Sequence, residues 1–290
     1  MRTVLITGAN SGIGRAAAVR LAAAGDRIYA GMRDTAKAEK LLTLAGQNQS
    51  RIVPITLDVT SDDSVRAATE RVIEEAGQVD VLVNNAGIGW NATTEDIDID
   101  AARVVFETNY WGAIRCAQAV LPGMRERRSG HVVNISSVAG RIAALGQTVY
   151  ASSKWALECA SENLAQEVAA FGIRVIVIEP GVTRTAIMPK NSGYPEPTVY
   201  EASYRRMLQF YAKGIEANVS ADSVAETIFE ALSDEQPRFR YTCAWGGPEL
   251  CEGREQISDD EWIELGGLRD DASYYREFKR LFGLDLAPPA

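Results

Sequence analysis

The chain has 290 residues, 46% of them hydrophobic, with a formal net charge of −9. That is enough apolar material for a sizeable core, and the acidic balance excludes a general affinity for nucleic acid or anionic membranes. The opening "MRTVLITG" has no long apolar segment and no 20-residue apolar run follows it, so a cytoplasmic protein without a membrane span is expected. Short β-branched runs then alternate with longer amphipathic stretches: "TVLIT", "RIYAG", "RIVPITLD", "VDVLVNN", "HVVNISS" and "IRVIVIEP". Near-continuous apolar runs fit strands covered on both faces by helices, the pattern of an α/β, doubly wound parallel sheet.

Helices are expected near 12–25, 35–46, 62–76, 100–127 and 149–171. Gly25, Gly77, Gly130 and Gly172 follow four of them, where a left-handed residue ends a helix. Cys116 and Cys159 fall inside helical stretches, and with Cys243 and Cys251 they show no metal or CxxC spacing. All four read as free or buried thiols. After Pro180 the pattern loosens into "GVTRTAIMPKNSGYPEPT", followed by the aromatic helical run "VYEASYRRMLQFYAKGI". A Gly/Pro-bearing segment beyond a strand's carboxyl end is placed to be a substrate lid, at about 186–218. A C-terminal extension occupies about 238–290, and with no linker or repeat in between, one domain is expected over 1–290.

"TGANSGIG" joins the first strand to the first helix. Gly8 permits a tight turn, Gly12 lets a pyrophosphate approach the backbone, and Gly14 lets helix and strand pack closely. The helix N-terminus then offers free amides to an anion. With "LDVT", "NNAG", "NISS", "YASSK" and "EPGVTRT" following in order over roughly residues 3 to 185, the chain resembles the short-chain dehydrogenase/reductase family. The resemblance implies a Rossmann-type fold and a nicotinamide dinucleotide held by Gly8, Asn10, Ser11, Gly12, Ile13 and Gly14. Asp58 and Val59 would meet the adenine, and Asn85, Ala86, Gly87, Pro180 and Gly181 would complete the cofactor walls. Thr183 and Thr185 would bind the carboxamide of the nicotinamide.

The end of the second strand, "YAGMRD", selects the dinucleotide. An acid there would bind the ribose 2′-hydroxyl and repel a 2′-phosphate, whereas a base does the reverse. Met32 stands in the acid's place and Arg33 follows, so NADP(H) is favoured over NAD(H). Asp34 reads as the N-cap of the next helix.

Hydride transfer to or from a neutral carbonyl or alcohol needs a proton donor or acceptor in the protein. His131, the single histidine, opens a strand at the far end and reads as an exposed loop-edge residue. Tyr150 and Lys154 are four residues apart on one helix and so share a face. Tyrosine ionises near pH 10, and the adjacent ammonium together with the positive charge of an oxidised nicotinamide is expected to lower that value. By the same resemblance Lys154 also holds the nicotinamide ribose, Ser137 orients the substrate oxygen, and Asn109 holds a water that relays protons. Ser136 should point to the other side of its strand.

The substrate pocket is expected from Trp90, Ile142, Leu145, Ile187, Met188 and Tyr194, an apolar lining suited to a hydrophobic alcohol or ketone. "YAGMRD", "QPRFRY" and "LRDDASYYREFKRLFGLDL" resemble the 17β-hydroxysteroid and retinol dehydrogenase branch, implying steroid-like, retinoid-like or bulky aromatic substrates. Relatives pair through their two long helices, which implies a homodimer or homotetramer. The competing readings are a catalytically idle NAD(P)-binding regulator, a small-alcohol dehydrogenase using NAD, and an isomerase or dehydratase using the cofactor transiently.

Overall fold

The computed structural model describes residues 1–185, 198–235 and 238–288. Among them seven strands form one sheet: β1 (Thr3–Thr7), β2 (Arg27–Met32), β3 (Ile52–Thr56), β4 (Val81–Asn84), β5 (Gly130–Ile135), β6 (Ile173–Pro180) and β7 (Arg240–Cys243). Their order is β3-β2-β1-β4-β5-β6-β7, with every neighbouring pair parallel. The chain leaves β1 to build one side of the sheet and crosses to β4 to build the other. That reversal opens a crevice beyond the carboxyl ends of β1 and β4, where ligands bind in open parallel sheets.

Strand alternation explains the unbroken apolar runs. Val4, Ile6, Val81, Val83, Val133, Ile135, Ile176 and Ile178 face one way, into a core with Ala17, Ala18 and Leu21 of α1 (Gly12–Ala23), Leu41 of α2 (Glu39–Ala45) and Ile228 of a later helix. Leu5, Leu82, Val132, Ile173 and Val175 face the other, against Val65 and Val72 of α3 (Asp62–Ala76) and more distal helices. Each such side chain, fully buried, contributes about 1.5–3 kcal/mol.

On that second face, α4 (Ile99–Phe106) continues through a π turn at Glu107–Trp111 into α5 (Gly112–Arg127), and α6 (Thr148–Ala169) lies alongside. The expected 100–127 helix is thus one rod with a widened turn in its middle. Asp34 does cap the following 3₁₀ turn, its carboxylate accepting from the Ala36 amide at 3.0 Å. The expected role of Gly130 is corrected: Arg128 takes the left-handed position (φ 55°) after α5, and Gly130 opens β5. Gly130 is small for another reason, since an added Cβ would strike Met124 Sδ at 2.5 Å.

The remaining chain forms α7 (Glu201–Glu216), α8 (Ala221–Ser233), β7, α9 (Gly247–Glu255), α10 (Asp259–Gly267) and α11 (Asp271–Phe282). β7 extends the sheet beside β6 and has no counterpart among the expected strands. A third core forms around Leu250, Leu265, Phe278, Phe282 and Leu286, with Phe210 of α7 packed against it. The calls on Ile187, Met188 and Tyr194 lie outside the described residues.

Candidate active site

The crevice holds a cavity of about 480 Å³ that runs from Arg33 at one end to Tyr150 and Tyr211 at the other. The glycine turn forms its floor. Gly8 and Gly12 adopt φ of 66° and 53°, a region that side chains other than glycine's rarely enter. A Cβ on Gly8 would meet Ala86 Cα at 3.0 Å. Asn85 ties the turn down, its Nδ2 donating to the carbonyls of Thr7 (2.8 Å) and Gly8 (3.2 Å). Thr7 Oγ1 accepts from the amides of Asn85 (3.0 Å) and Ala86 (2.9 Å), locking the ends of β1 and β4 together.

Ser11 caps α1 with extended backbone but makes no side-chain cap bond, so the first amides of the helix stay available to an anion. Gly14 lies behind this surface and does not line the cavity among the described residues. Its role is steric, since a Cβ would press on Asn85 Nδ2 and on the Gly8 carbonyl at 2.7 Å.

At the far wall stand Met32, Arg33, Leu57, Asp58, Val59 and Thr60. Asp58 is partly buried, which opposes its ionisation. Bonds from the Thr60 amide (3.0 Å) and hydroxyl (2.8 Å), with the nearby Arg33 charge, nevertheless hold its carboxyl below the usual range. One exposed cation and one firmly ionised carboxylate therefore flank this end.

At the other end Ser137, Tyr150 and Lys154 converge. Ser137 sits just past β5 with extended backbone, accepting from the Ala139 amide at 3.2 Å. Its hydroxyl also hydrogen-bonds the Tyr150 phenol. Lys154 Nζ lies 5.8 Å from the centre of the Tyr150 ring and donates to the Ile135 carbonyl at 2.8 Å. Burial pushes the Tyr150 phenol up, and the Ser137 bond works against that rise. Burial also pushes Lys154 down to about 8, opposed by the carboxylate of Glu158 one turn along α6. Within the protein alone desolvation dominates both groups.

Asn109 sits in the π turn, buried, and π turns recur at functional positions. Its Oδ1 accepts from the Ile88 amide (2.8 Å), and its Nδ2 donates to the Ile88 carbonyl (2.9 Å) and to Ser153 Oγ (3.0 Å). The side chain braces the loop after β4 against α6 and lies outside the cavity lining. Ser136 also lines the cavity beside Ser137, its Oγ lying 2.8 Å from where a Cβ on Gly140 would stand. Pro180, Gly181, Thr183 and Thr185 close the remaining wall, with Asn10, Ile13 and Gly87 opposite. Thr185 packs over the turn, its Cβ 3.3 Å from a Cβ placed on Gly12.

Three expectations for the substrate end are corrected. Ile142 is buried in the third core, and Leu145 packs there too, 3.7 Å from a Cβ placed on Gly266 of α10. The extension claims their loop, with Trp262 Nε1 donating to the Ala143 carbonyl at 3.1 Å. Trp90 is likewise not among the described lining residues. Phe210, Tyr211 and Gln147 take their place. Gln147 Nε2 donates to the Tyr211 hydroxyl at 2.8 Å, and that hydroxyl lies 3.4 Å from Asn91 Oδ1. The aromatic run around 207–211 was the available signal, but which of its faces meets the cavity depends on where α7 docks. His131 is half-buried in β5, not exposed, and burial pushes it down to about 4 with Arg174 and Arg2 adding to the effect.

The donor set fits a nicotinamide dinucleotide: an anion-ready helix end under a glycine turn, side chains for an adenine end, and a proton-bearing phenol at the opposite end. Fold and site together define a dinucleotide-binding oxidoreductase of the parallel-sheet class.

The family model for short chain dehydrogenase matches residues 2–194. The chain belongs to that short-chain dehydrogenase/reductase family. It is 36% identical to oxidoreductase BOA17 of Botryotinia fuckeliana over 90% of this chain and 96% of that protein. It is 38% identical to Bos taurus retinol dehydrogenase 8, over 82% of this chain and 80% of the relative. Homo sapiens 17-beta-hydroxysteroid dehydrogenase type 1 is also 38% identical, over 82% and 76%. Among solved structures, a short-chain dehydrogenase from Streptomyces avermitilis superposes with a TM-score of 0.80 at 34% identity, covering 92% of this chain and 98% of that one. ElxO with NADP bound is 26% identical with a TM-score of 0.69, over 82% and 93%. A Burkholderia phymatum enzyme in complex with NAD is 25% identical with a TM-score of 0.72, over 82% and 88%. A nicotinamide cofactor is thus common ground, and either dinucleotide is represented. No helix among the described residues is long and apolar enough to cross a membrane.

Proposed function

We propose that this protein is an NADP(H)-dependent oxidoreductase acting on a hydrophobic secondary alcohol/ketone pair, with Tyr150 as the general acid/base, all within one catalytic domain. The observation that carries the reading is the meeting of Ser137, Tyr150 and Lys154 at one end of the cavity that begins at the glycine turn. A bound nicotinamide would supply or accept the hydride. Thr183 and Thr185 would orient its carboxamide, and Asp58 with Val59 its adenine. Arg33, exposed at the cavity rim, would meet a 2′-phosphate with a charge-assisted bond, supporting NADP(H) over NAD(H).

In the reductive direction Tyr150 starts protonated, the form its burial favours, and gives its proton to the oxygen that receives charge. Ser137 holds that same oxygen. Lys154, as a cation, stabilises the phenolate left behind, and Asn109 fixes the loop beside it. Phe210 and the relatives' retinol and steroid names support a bulky hydrophobic substrate. Exposed Trp111 (49%) and Trp155 (48%), on the π turn and on α6, support pairing of two copies through these helices. The acidic charge and free cysteines agree with a cytoplasmic setting.

The test is NADPH and NADH absorbance followed across steroid, retinoid and aromatic ketones and alcohols. Tyr150→Phe should reduce turnover by about 10² to 10⁴-fold while cofactor still binds. Near-normal turnover in that variant would remove Tyr150 from the chemistry.

A further inference from the structure

Phe210, Tyr211 and Gln147 stand at the substrate end of the cavity, and a purely hydrophobic substrate has no use for the last of them. Gln147 is the N-cap residue of α6, three residues before Tyr150. Asparagine, aspartate, serine or threonine ordinarily fills that position and bonds the free amides of the first turn. The Gln147 side chain makes no such bond. It is 5% exposed and lines the cavity instead.

The surroundings hold it there. Gln147 pairs with Ala92 in an isolated bridge, the Thr148 amide donates to the Ala92 carbonyl at 3.3 Å, and the Ala151 amide donates to the Gln147 carbonyl at 2.8 Å. Gly146 has a φ of 68°, and a Cβ on it would stand 3.1 Å from Met207 Sδ and 3.3 Å from the Tyr204 ring. α7 therefore lies directly against the start of α6, and Tyr211, one turn beyond Met207, comes within reach of Gln147.

One end of the amide is fixed by this contact. Gln147 Nε2 donates to the Tyr211 hydroxyl at 2.8 Å, and that hydroxyl donates to Asn91 Oδ1 at 3.4 Å. Burial, and after it Tyr150, push the Tyr211 phenol up, with the Gln147 bond working against the rise, so Tyr211 stays neutral. The other end of the amide is open: Gln147 Oε1 accepts no hydrogen bond among the described residues. An enclosed carbonyl oxygen is costly without a donor, and a residue that only tied α6 to α7 would need the Nε2 end alone.

The chemistry of the missing donor is narrow. An anion would face the amide oxygen. An ammonium would find no counter-charge, because the single carboxylate among the described lining residues is Asp58, at the opposite end, while Lys154 lies nearby. A neutral hydroxyl fits both conditions. Its place along the ligand follows from the helix, since side chains three residues apart start about 5–6 Å from each other. Oxygens held by Gln147 and Tyr150 therefore belong to neighbouring carbons, not to opposite ends of a long molecule.

We propose that Gln147 is a specificity-determining residue whose open amide oxygen accepts from a substrate hydroxyl, so that the site takes hydroxy ketones with that hydroxyl on the carbon next to the carbonyl or on the one after it. The inference rests on the carbonyl substrate and the Tyr150 chemistry given above, and narrows them to a class. Phe210 meets the apolar remainder of such a molecule, and Gln147 meets its second oxygen.

The experiment compares ketones matched except for the hydroxyl: benzoin with deoxybenzoin, and the β-hydroxy derivative of benzylacetone with benzylacetone. Dissociation constants are read by calorimetry on the full-length Tyr150→Phe protein saturated with NADP⁺ and, in parallel, with NAD⁺, where turnover is suppressed. The kcat/KM values are read with Tyr150 in place. In at least one pair the hydroxy ketone should be favoured about tenfold in both readouts, the scale of one buried hydrogen bond. Gln147→Leu should abolish that preference. A contact that merely joins α6 to α7 would affect both members of a pair alike and leave their ratio unchanged.

No preference in either pair with Gln147 in place overturns the proposal, and so does a preference that survives Gln147→Leu. Should Gln147→Leu fail to fold, Gln147→Met, close in size to the native side chain, takes its place, and the first comparison needs no change at Gln147. A binding preference without turnover would sink the oxidoreductase reading and leave the Gln147 contact standing. Turnover without preference would do the reverse, and ketones neither bound nor turned over would end both.

Discussion

The strands and turns up to Thr185 and the helices after residue 198 reach the same cavity by different means. In the first region each contribution is local: a glycine turn leaves β1, Asn85 follows β4, Ser137 follows β5, and Tyr150 and Lys154 share a helix face. In the second region the contributions are single side chains carried in by docking. Phe210 and Tyr211 arrive on α7, which is fixed from outside the cavity. There Tyr204 donates to Asp96 (2.8 Å), and Arg206 donates to Asp271 of α11 (2.9 Å) and to the Leu268 carbonyl (2.7 Å). The cofactor end is thus built from short-range backbone geometry, and the substrate end from long-range packing. Changes in the first region should alter cofactor handling, and changes in the second should alter stability and substrate selection.

The largest separation is expected from Phe278→Ala. Phe278 is buried with its ring 4.8 Å from Phe282, 5.9 Å from Tyr274 and 6.3 Å from Phe210. Its loss should cost about 3–5 kcal/mol in denaturant unfolding and raise KM for hydrophobic substrates through Phe210. An unchanged substrate KM would show that the third core does not support the site.

Gly14→Ala should cost about 1–3 kcal/mol through overpacking and weaken NADPH binding in a fluorescence titration, because Asn85 must move. Full cofactor affinity would mean that the turn tolerates that movement.

Arg33→Ala should raise KM for NADPH roughly tenfold, the scale of losing a charged hydrogen bond, and leave KM for NADH nearly unchanged. Equal effects would return the choice of dinucleotide to other residues.

The smallest effect concerns pH. Bonds from Arg205, then from Arg206, hold Asp271 below the usual carboxylate range although partial burial opposes them. A depressed carboxylate contributes stability that is present above its unfolded value and lost as pH falls through its folded one. Asp271→Asn should therefore lower Tm at neutral pH by about 2 °C and flatten the decline in Tm below about pH 4. An acid decline as steep as the wild type's would place the sensitive carboxylates elsewhere.

The sequence by itself determined the class of fold and the places of its first six strands along the chain, because runs such as "TVLIT" and "IRVIVIEP" carry their burial on both faces in their composition. It also carried the positions of the glycine turn and of the Tyr150/Lys154 face, since both depend on backbone geometry over a few residues. It did not carry β7, whose four residues have no long apolar run and become a strand by pairing with β6. Nor did it carry the fate of Ile142 and Leu145, which look like pocket residues until α10 and α11 cover them. Electrostatics likewise belonged to the tertiary structure alone. The Tyr150/Lys154 spacing carried no sign of how deeply both groups are buried, and that burial, which pushes the Tyr150 phenol up and Lys154 down, comes only from the surrounding elements. Local geometry is written within one turn of the chain, whereas burial and field are sums over residues that meet only after folding.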